Sequence, residues 1–285
     1  MAQNNSRQST AIYVGFLDDA REEMVNWKAG VSQERLVRPA FQKAGAAWSV
    51  VKPDSIPNHV FWTVGFDGKA LGKIESRSSA ATPSAVHLTF VQTITSPRSA
   101  IPTVGTPMTK YAPLGMEPTK GRRPLVLVSK PYVADPDEWT RIAQPPLEVE
   151  SAARAAFKKD FPHVYRCKEE AVVERNWRFR DSSLRITSAY ASNKHSFLLQ
   201  LSLDAGDCGY VDDPNDWRAD PWYFLPADGN PRRIGAFMSL LDAGDYDNDS
   251  RSEVIFMIEQ PEDTEGFALF DAEMHKRASL LWTYH

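Results

Sequence analysis

The amino-acid sequence predicts a mainly β fold, propeller-like or sandwich-like, with one or two short helices. Short apolar or alternating segments recur between turn residues at intervals of about 10 positions, which is typical of a sandwich, a barrel or a propeller. An Asp-Gly pair at residues 67–68 separates two of these segments, and this pair is a strong local signal for a hairpin. Convincing helical periodicity is confined to residues 147–161.

Composition and charge are those of an ordinary globular protein. Of 285 residues, 42% are hydrophobic and 25% are charged, and the 31 aromatic side chains (8 Trp, 9 Tyr, 14 Phe) favour a folded core over disorder. The formal net charge is −4, so no overall attraction to nucleic acid or to an anionic membrane is expected. No apolar run approaches the ~18 residues of a membrane-spanning helix.

The chain divides into three expected parts. Residues 1–10 are polar, and we expect a disordered tail. Residues 11–120 form an N-terminal β-rich region, and residues 121–285 form a C-terminal β-rich region. A segment dense in Pro and Gly, residues 96–124, is the best candidate for the boundary between them.

The N-terminal region contains a series of strand-like segments and one helix candidate. Residues 18–27 have acidic side chains in the first turn and favour a short helix. Apolar and alternating patterns predict strands at residues 11–16, 35–41, 47–51, 61–66, 69–74 and 86–94.

The C-terminal region begins with a helix and continues in strands. Leu147, Ala152 and Phe157 recur at helical spacing within residues 147–161, and Pro162 lies just past the predicted end. Strands are predicted at residues 124–128, 184–190, 197–203, 222–225, 234–241, 254–258, 267–270 and 279–284.

An acidic loop precedes the predicted strand at residues 254–258. Asp245, Asp247 and Asp249 alternate strictly, and Glu253 follows four residues after the last of them. A tight loop with this spacing turns alternate side chains inward, so the carboxylates converge on one point. Mutual repulsion among four carboxylates disfavours a merely solvated turn, although such a turn is the simpler alternative.

The ligand chemistry of this loop indicates calcium. The four carboxylates and the main-chain carbonyl of Arg251, at position 7, would give an oxygen-only shell, which Ca²⁺ prefers. The loop contains no Cys or His, and this disfavours zinc and copper. It departs from an EF-hand at position 6, which is Ser250, and at position 12, which is Phe256.

Residues 237–270 resemble the calcium loops of FG-GAP or VCBS-type repeats, which lie between two strands of β-propeller blades such as those of integrin α chains. The resemblance implies a structural calcium ion between strands. More loosely, the chain is similar to uncharacterised exported bacterial proteins. This second resemblance implies no particular activity for the chain. The shared segments are residues 62–68, 101–105, 123–126, 135–139, the stretch Asp-Ala-Gly-Asp-Tyr-Asp-Asn-Asp and the end Trp-Thr-Tyr-His.

The start of the chain and its two cysteines bear on localisation. A small residue and a polar tail precede the first strand, as expected after removal of a signal peptide, so we expect a periplasmic or secreted protein. In such a compartment Cys167 and Cys208 are expected to form a disulfide, with two buried free thiols as the alternative.

Other polar clusters are weaker candidates. The six histidines lack zinc-site spacing, and Asp135, Asp137 and Glu138 are better explained by a surface turn than by a glycosidase pair. The acidic run from Asp204 to Asp216 is a second, poorer candidate for a cation site, and a solvated loop is the simpler explanation.

The function predicted from these features is that of an exported, calcium-stabilised binding or interaction protein with a protein or glycan partner. An exported hydrolase with a structural calcium ion is the alternative. A structural envelope protein without a ligand is a third possibility. No catalytic residues are predicted, because the sequence contains no nucleophile elbow, phosphate loop or dinucleotide fingerprint.

Overall fold

The computed structural model describes residues 11–19, 35–78, 91–102, 124–131, 134–162, 164–168, 171–205, 220–260 and 264–283. Within these residues the chain forms four antiparallel β-sheets and a single α-helix, which confirms the predicted mainly β fold. The predicted N-terminal tail lies outside the described residues, as does Cys208 and with it the predicted disulfide.

The N-terminal strands form a closed six-stranded barrel. Its strand order is β1-β7-β4-β5-β6-β2, and β2 pairs again with β1 to close the ring, while β3 extends β2 as a hairpin. The strands are β1 (Ile12–Asp19), β2 (Arg35–Ala44), β3 (Ala47–Val50), β4 (His59–Phe66), β5 (Lys69–Ser78), β6 (Gln92–Ile94) and β7 (Leu125–Val128).

A chain of neutral hydrogen bonds runs through the largely apolar interior of the barrel. The indole N–H of Trp62 donates to Ser76 Oγ at 2.7 Å, and Ser76 Oγ donates to Gln92 Oε1 at 2.6 Å. Gln92 Nε2 in turn donates to the main-chain carbonyl of Pro57 at 3.2 Å. Trp62, Ser76 and Gln92 therefore satisfy one another's buried polar atoms, as most buried polar groups do.

Two glycines allow the barrel backbone to turn and to approach itself closely. The hairpin predicted at residues 67–68 is confirmed, because Asp67 and Gly68 both adopt positive φ angles of 46° and 71° between β4 and β5. Gly15 lies at a bulge in β1, where a Cβ atom would stand 2.9 Å from the carbonyl oxygen of Arg38.

The C-terminal strands form two meanders and a short ribbon. The five-stranded sheet has the order β14-β13-β12-β11-β8, the four-stranded sheet has the order β15-β16-β17-β18, and β9 pairs with β10. The elements are β8 (Thr140–Arg141), α1 (Leu147–Asp160), β9 (Arg166–Lys168), β10 (Ala171–Glu174), β11 (Leu184–Ala191), β12 (Phe197–Leu203), β13 (Trp222–Leu225), β14 (Arg232–Gly235), β15 (Met238–Gly244), β16 (Glu253–Gln260), β17 (Thr264–Phe270) and β18 (Lys276–Thr283).

The parts stack in layers, with the four-stranded sheet in the middle. One of its faces packs against the outside of the barrel, where the rings of Phe16 and Phe267 stack at 3.6 Å. Its other face packs against the five-stranded sheet through Val254 and Phe256. The far face of the five-stranded sheet is covered by α1 through Phe157. Burial on both faces explains the uninterrupted apolar run at residues 254–258.

The face-to-face sheets correspond to the sandwich-like alternative, but one predicted strand and the expected division of the chain differ from the structure. The strand predicted at residues 234–241 is wrong as a single element, because Phe237 adopts a φ of 54° and the chain passes there from β14 in one sheet to β15 in the other. Strand β7 lies beyond the expected division at residue 120 but belongs to the barrel, so the barrel includes residues from both sides of it.

Helices were expected at two places. The predicted helix at residues 147–161 is confirmed as α1. Most of the helix candidate at residues 18–27 lies outside the described residues, and its first two positions belong to β1. Across the described ranges, no helix has the length and apolar character needed to cross a bilayer.

Candidate metal centre

The acidic loop connects β15 to β16 at one end of the middle sheet. Gly244 and Glu253 are paired across the two strands, so the strand ladder fixes both ends of the loop. Within the loop, Asn248 and Ser250 adopt left-handed φ angles of 62° and 66°. Ser250 stands at position 6, where an EF-hand has glycine, and a left-handed angle is strained for serine.

Three of the predicted ligands converge. One carboxylate oxygen from each of Asp245, Asp247 and Glu253 lies within 4.8 Å of the other two. Asp245 and Glu253 are 3% and 4% exposed. Asp249 is not part of this group, and its Oδ1 accepts the main-chain N–H of Arg251 at 2.9 Å.

Main-chain N–H groups of the loop hold these carboxylates in place. Asp245 accepts from Asp249 N–H and from Ser250 N–H, both at 2.9 Å, one on each carboxylate oxygen. Asp247 Oδ1 also accepts from Asp249 N–H, at 3.1 Å, and Glu253 Oε2 accepts from Tyr246 N–H at 2.8 Å. The carboxylates are therefore oriented by the folded loop itself.

The electrostatics of the loop disfavour a full set of negative charges. Burial raises the pKa of Glu253 to about 8, and the carboxylates of Asp249 and Asp245 add to this increase. The N–H of Tyr246 and the ammonium of Lys43 oppose it without cancelling it. Burial among other carboxylates therefore favours the protonated form of Glu253 unless a cation compensates its charge.

A cation from the barrel reaches the loop. Lys43, near the end of β2, forms an ion pair with Asp247 Oδ2, across 204 positions of sequence. The ammonium also lies 5.7 Å from the centroid of the Trp48 ring. The sequence did not indicate this contact, because nothing local to Lys43 marks it as a partner of the loop.

The loop is also attached to two neighbouring segments. Asp242, just before it, accepts the main-chain N–H of Asp67 at 3.0 Å and the hydroxyl of Tyr246 at 3.1 Å. Ser252, just before Glu253, donates to Asp135 Oδ1 and accepts the N–H of Asp137 at 3.1 Å. The candidate site thus lies where the barrel, the middle sheet and the turn at residues 135–139 meet.

Arg251 contributes to a separate ion-pair cluster. Its guanidinium pairs with Glu273 in the loop between β17 and β18. The carboxylates of Asp271 and Glu273 and the His275 ring offer ligand atoms within 4.8 Å of one another. However, Arg277 pairs with Asp271 at 2.5 Å, so arginine cations already balance both carboxylates. This cluster is a weaker candidate for a metal than the loop after β15.

The remaining polar candidates have structural partners. Asp135 accepts main-chain N–H groups from Asp137 and Trp139 at 3.0 and 2.7 Å, as expected for a turn. Asp137 is not at the surface as predicted, because its side chain is buried and pairs with Lys194 at 2.5 Å. In the second acidic run, Asp204 pairs with Arg185, and the other aspartates lie outside the described residues.

The chain matches no protein-family model, no curated protein and no solved structure. Its function is therefore inferred from the geometry and chemistry of its own residues. The oxygen-only donor set of Asp245, Asp247 and Glu253 fits a hard divalent cation, with room in the donor count for main-chain carbonyls or water.

Proposed function

We propose that this chain is a calcium-stabilised binding or interaction protein, with an FG-GAP- or VCBS-like loop that holds a structural Ca²⁺ ion. The observation that carries the proposal is the convergence of the Asp245, Asp247 and Glu253 carboxylates, whose ligand oxygens lie within 4.8 Å of one another. Ca²⁺ takes six to eight oxygen ligands in flexible geometry. The Arg251 carbonyl and Asp249 are the expected sources of further oxygens.

The role proposed for the ion is stabilisation of the folded state. A divalent cation would offset the repulsion between carboxylates and allow Glu253 to remain ionised despite its burial. Because the three ligands come together only in the folded loop, the ion would bind the native state in preference to the unfolded chain. It would also fix a loop that contacts the barrel through Asp242 and the turn at residues 135–139 through Ser252.

Export to the periplasm or the cell exterior forms part of the proposal. Three carboxylates and a left-handed serine in place of glycine favour a weak site, like extracellular modules with dissociation constants of roughly 0.1–1 mM. Such a site would fill only where calcium is abundant. N-terminal sequencing of the native protein tests this part, and an uncleaved start in the cytoplasm would contradict it.

An exposed aromatic side chain on the barrel supports the binding part of the proposal. The Phe61 ring is 66% exposed, and the His59 ring packs edge-on against it at 4.7 Å. Glu75, the cross-strand partner of Phe61, pairs with His59 and lies 3.7 Å from Arg77. An aromatic ring framed by hydrogen-bonding groups is suited to stacking on a sugar ring or anchoring a partner protein.

Affinity electrophoresis in gels that contain soluble polysaccharides tests the glycan form of this partner. Retardation of the wild type that is lost in Phe61→Ala and kept in Leu281→Ala supports it, because Leu281 is 45% exposed on a different sheet. Equal mobility of all three proteins in every gel contradicts a glycan site at Phe61.

Thermal unfolding in EDTA and in millimolar CaCl₂ tests the calcium site. We expect calcium to raise the unfolding midpoint of the wild type by several degrees, because about 1 kcal/mol shifts the midpoint of a chain of this size by roughly 2–4 °C. Asp247→Asn should lose this response, whereas Asp181→Asn, which changes an exposed aspartate just before β11, should keep it. An unchanged wild-type midpoint would remove the main support for the proposal.

A further inference from the structure

We infer that Lys43 sets the calcium affinity of the loop, because its ammonium pairs with Asp247 and would compete with an incoming ion for that carboxylate. This inference rests on the proposed calcium site and goes beyond it by assigning a residue that lies 204 positions away in sequence. On binding calcium, the loop would then exchange the Lys43 ammonium for Ca²⁺ at Asp247.

The position of Lys43 makes its ammonium a built-in part of the site. Its backbone is paired on both sides, with Ile12 in β1 and with Trp48 in β3, so the origin of the side chain is fixed by the barrel. The side chains of Lys43 and Asp247 are 17% and 1% exposed, respectively. A charge pair this well shielded is weakened by salt much less than a surface pair.

The two cations are in conflict at Asp247. Asp247 Oδ1 accepts the Asp249 N–H, and Oδ2 accepts the Lys43 ammonium, so each oxygen already has one partner. A divalent ion held by the same carboxylate would lie within a few ångströms of the ammonium, and repulsion at that distance is strong in a partly buried site. Calcium binding would therefore favour withdrawal of the Lys43 ammonium from Asp247.

The Trp48 ring is a second possible partner for the Lys43 ammonium. Its ammonium is already 5.7 Å from the Trp48 ring centroid, within the range of a cation–π contact. Withdrawal toward this ring keeps the charge in a favourable environment. Lys43 joins the barrel to the middle sheet through Asp247, and with calcium bound the ion would hold the loop instead.

Calorimetric titration with CaCl₂ of the wild type, Lys43→Met, Lys43→Arg and Lys73→Met tests the inference. Removal of the competing charge in Lys43→Met should lower the dissociation constant by about tenfold or more. Lys43→Arg keeps the charge, and Lys73→Met removes an exposed lysine from another strand of the barrel, so both should remain near the wild-type value. Lys43→Gln replaces Lys43→Met should the latter fold poorly.

Thermal unfolding of the same variants separates competition from a merely structural role. We expect Lys43→Met to melt below the wild type in EDTA and to gain a larger increase from calcium. A residue that only supports the fold would lower both midpoints equally.

The outcomes distinguish this inference from the calcium proposal. Equal calcium affinity in the wild type and Lys43→Met overturns the competition and leaves the structural calcium site in place. Binding by Lys43→Met alone supports the competition and contradicts calcium occupancy in the wild type. Binding by neither protein overturns both.

Discussion

The barrel interior and the acidic loop both hold polar side chains away from water, and they differ in how the cost of burying those polar groups is offset. Inside the barrel, Trp62, Ser76 and Gln92 form a chain in which each donor meets a neutral acceptor. In the loop, Asp245, Asp247 and Glu253 are all acceptors when ionised. Neutral side chains can satisfy one another's hydrogen-bonding groups because they include both donors and acceptors. Clustered carboxylates include only acceptors, so they depend on a proton or a cation.

The largest expected effect comes from Trp62→Ala, which removes the first donor of the barrel chain and leaves a cavity. We expect a loss of about 3–5 kcal/mol in the free energy of unfolding. The loss should be the same in EDTA and in calcium, because Trp62 belongs to the barrel core and not to the cluster around the loop. Denaturant titration under both conditions measures it. A loss that depends on calcium would show that the two regions are coupled.

The second-largest expected effect is a pH dependence of the free energy of unfolding, which arises from Glu253 in the loop. Burial raises the pKa of Glu253 to about 8 from 4.5, so the folded chain retains a proton that the unfolded chain releases at lower pH. The stability that this proton contributes is full below pH 4.5 and is lost as the pH rises to about 8. In EDTA the wild type should lose on the order of a few kcal/mol across this window relative to Glu253→Gln.

Denaturant titration of both proteins at several pH values checks this expectation. Calcium should reduce the difference, because the ion takes over the role of the proton. Parallel profiles of the wild type and Glu253→Gln in EDTA would show that Glu253 ionises normally and that the loop needs no cation.

The smallest effect is expected for Arg251→Ala. The ion pair between Arg251 and Glu273 is about half exposed on both sides, and such pairs contribute between about 0 and 1 kcal/mol. The main-chain carbonyl remains in the variant, so the increase in unfolding midpoint caused by calcium should be close to that of the wild type. A complete loss of that increase would mean that the side chain orders the loop, contrary to the predicted role of the carbonyl.

Local signals in the sequence were sufficient for several elements. The Asp67-Gly68 turn, helix α1 and the carboxylates at 245, 247 and 253 each follow from residues close together in sequence. The closure of the barrel did not follow, because β1 pairs with β7 across more than 100 residues and no local pattern encodes that partner. The contact between Lys43 and Asp247 is not predictable from local sequence for the same reason.

One local feature was also misleading. The apolar pattern of residues 234–241 is continuous, yet Phe237 adopts a left-handed φ of 54° and divides it into two strands. A bulky non-glycine residue rarely adopts this angle, so propensity alone favours one strand. Burial of Met238 and Leu240 between the two sheets is the tertiary packing that accompanies the break.

The middle position of the four-stranded sheet has a consequence for the cooperativity of unfolding. Ile255 faces the barrel and Phe256 faces the five-stranded sheet, so removal of either neighbour would expose a full apolar surface to water. Neither half of the molecule would be a good soluble fragment on its own. We therefore expect barrel and sheets to melt in a single calorimetric transition, as one cooperative unit despite their different architectures.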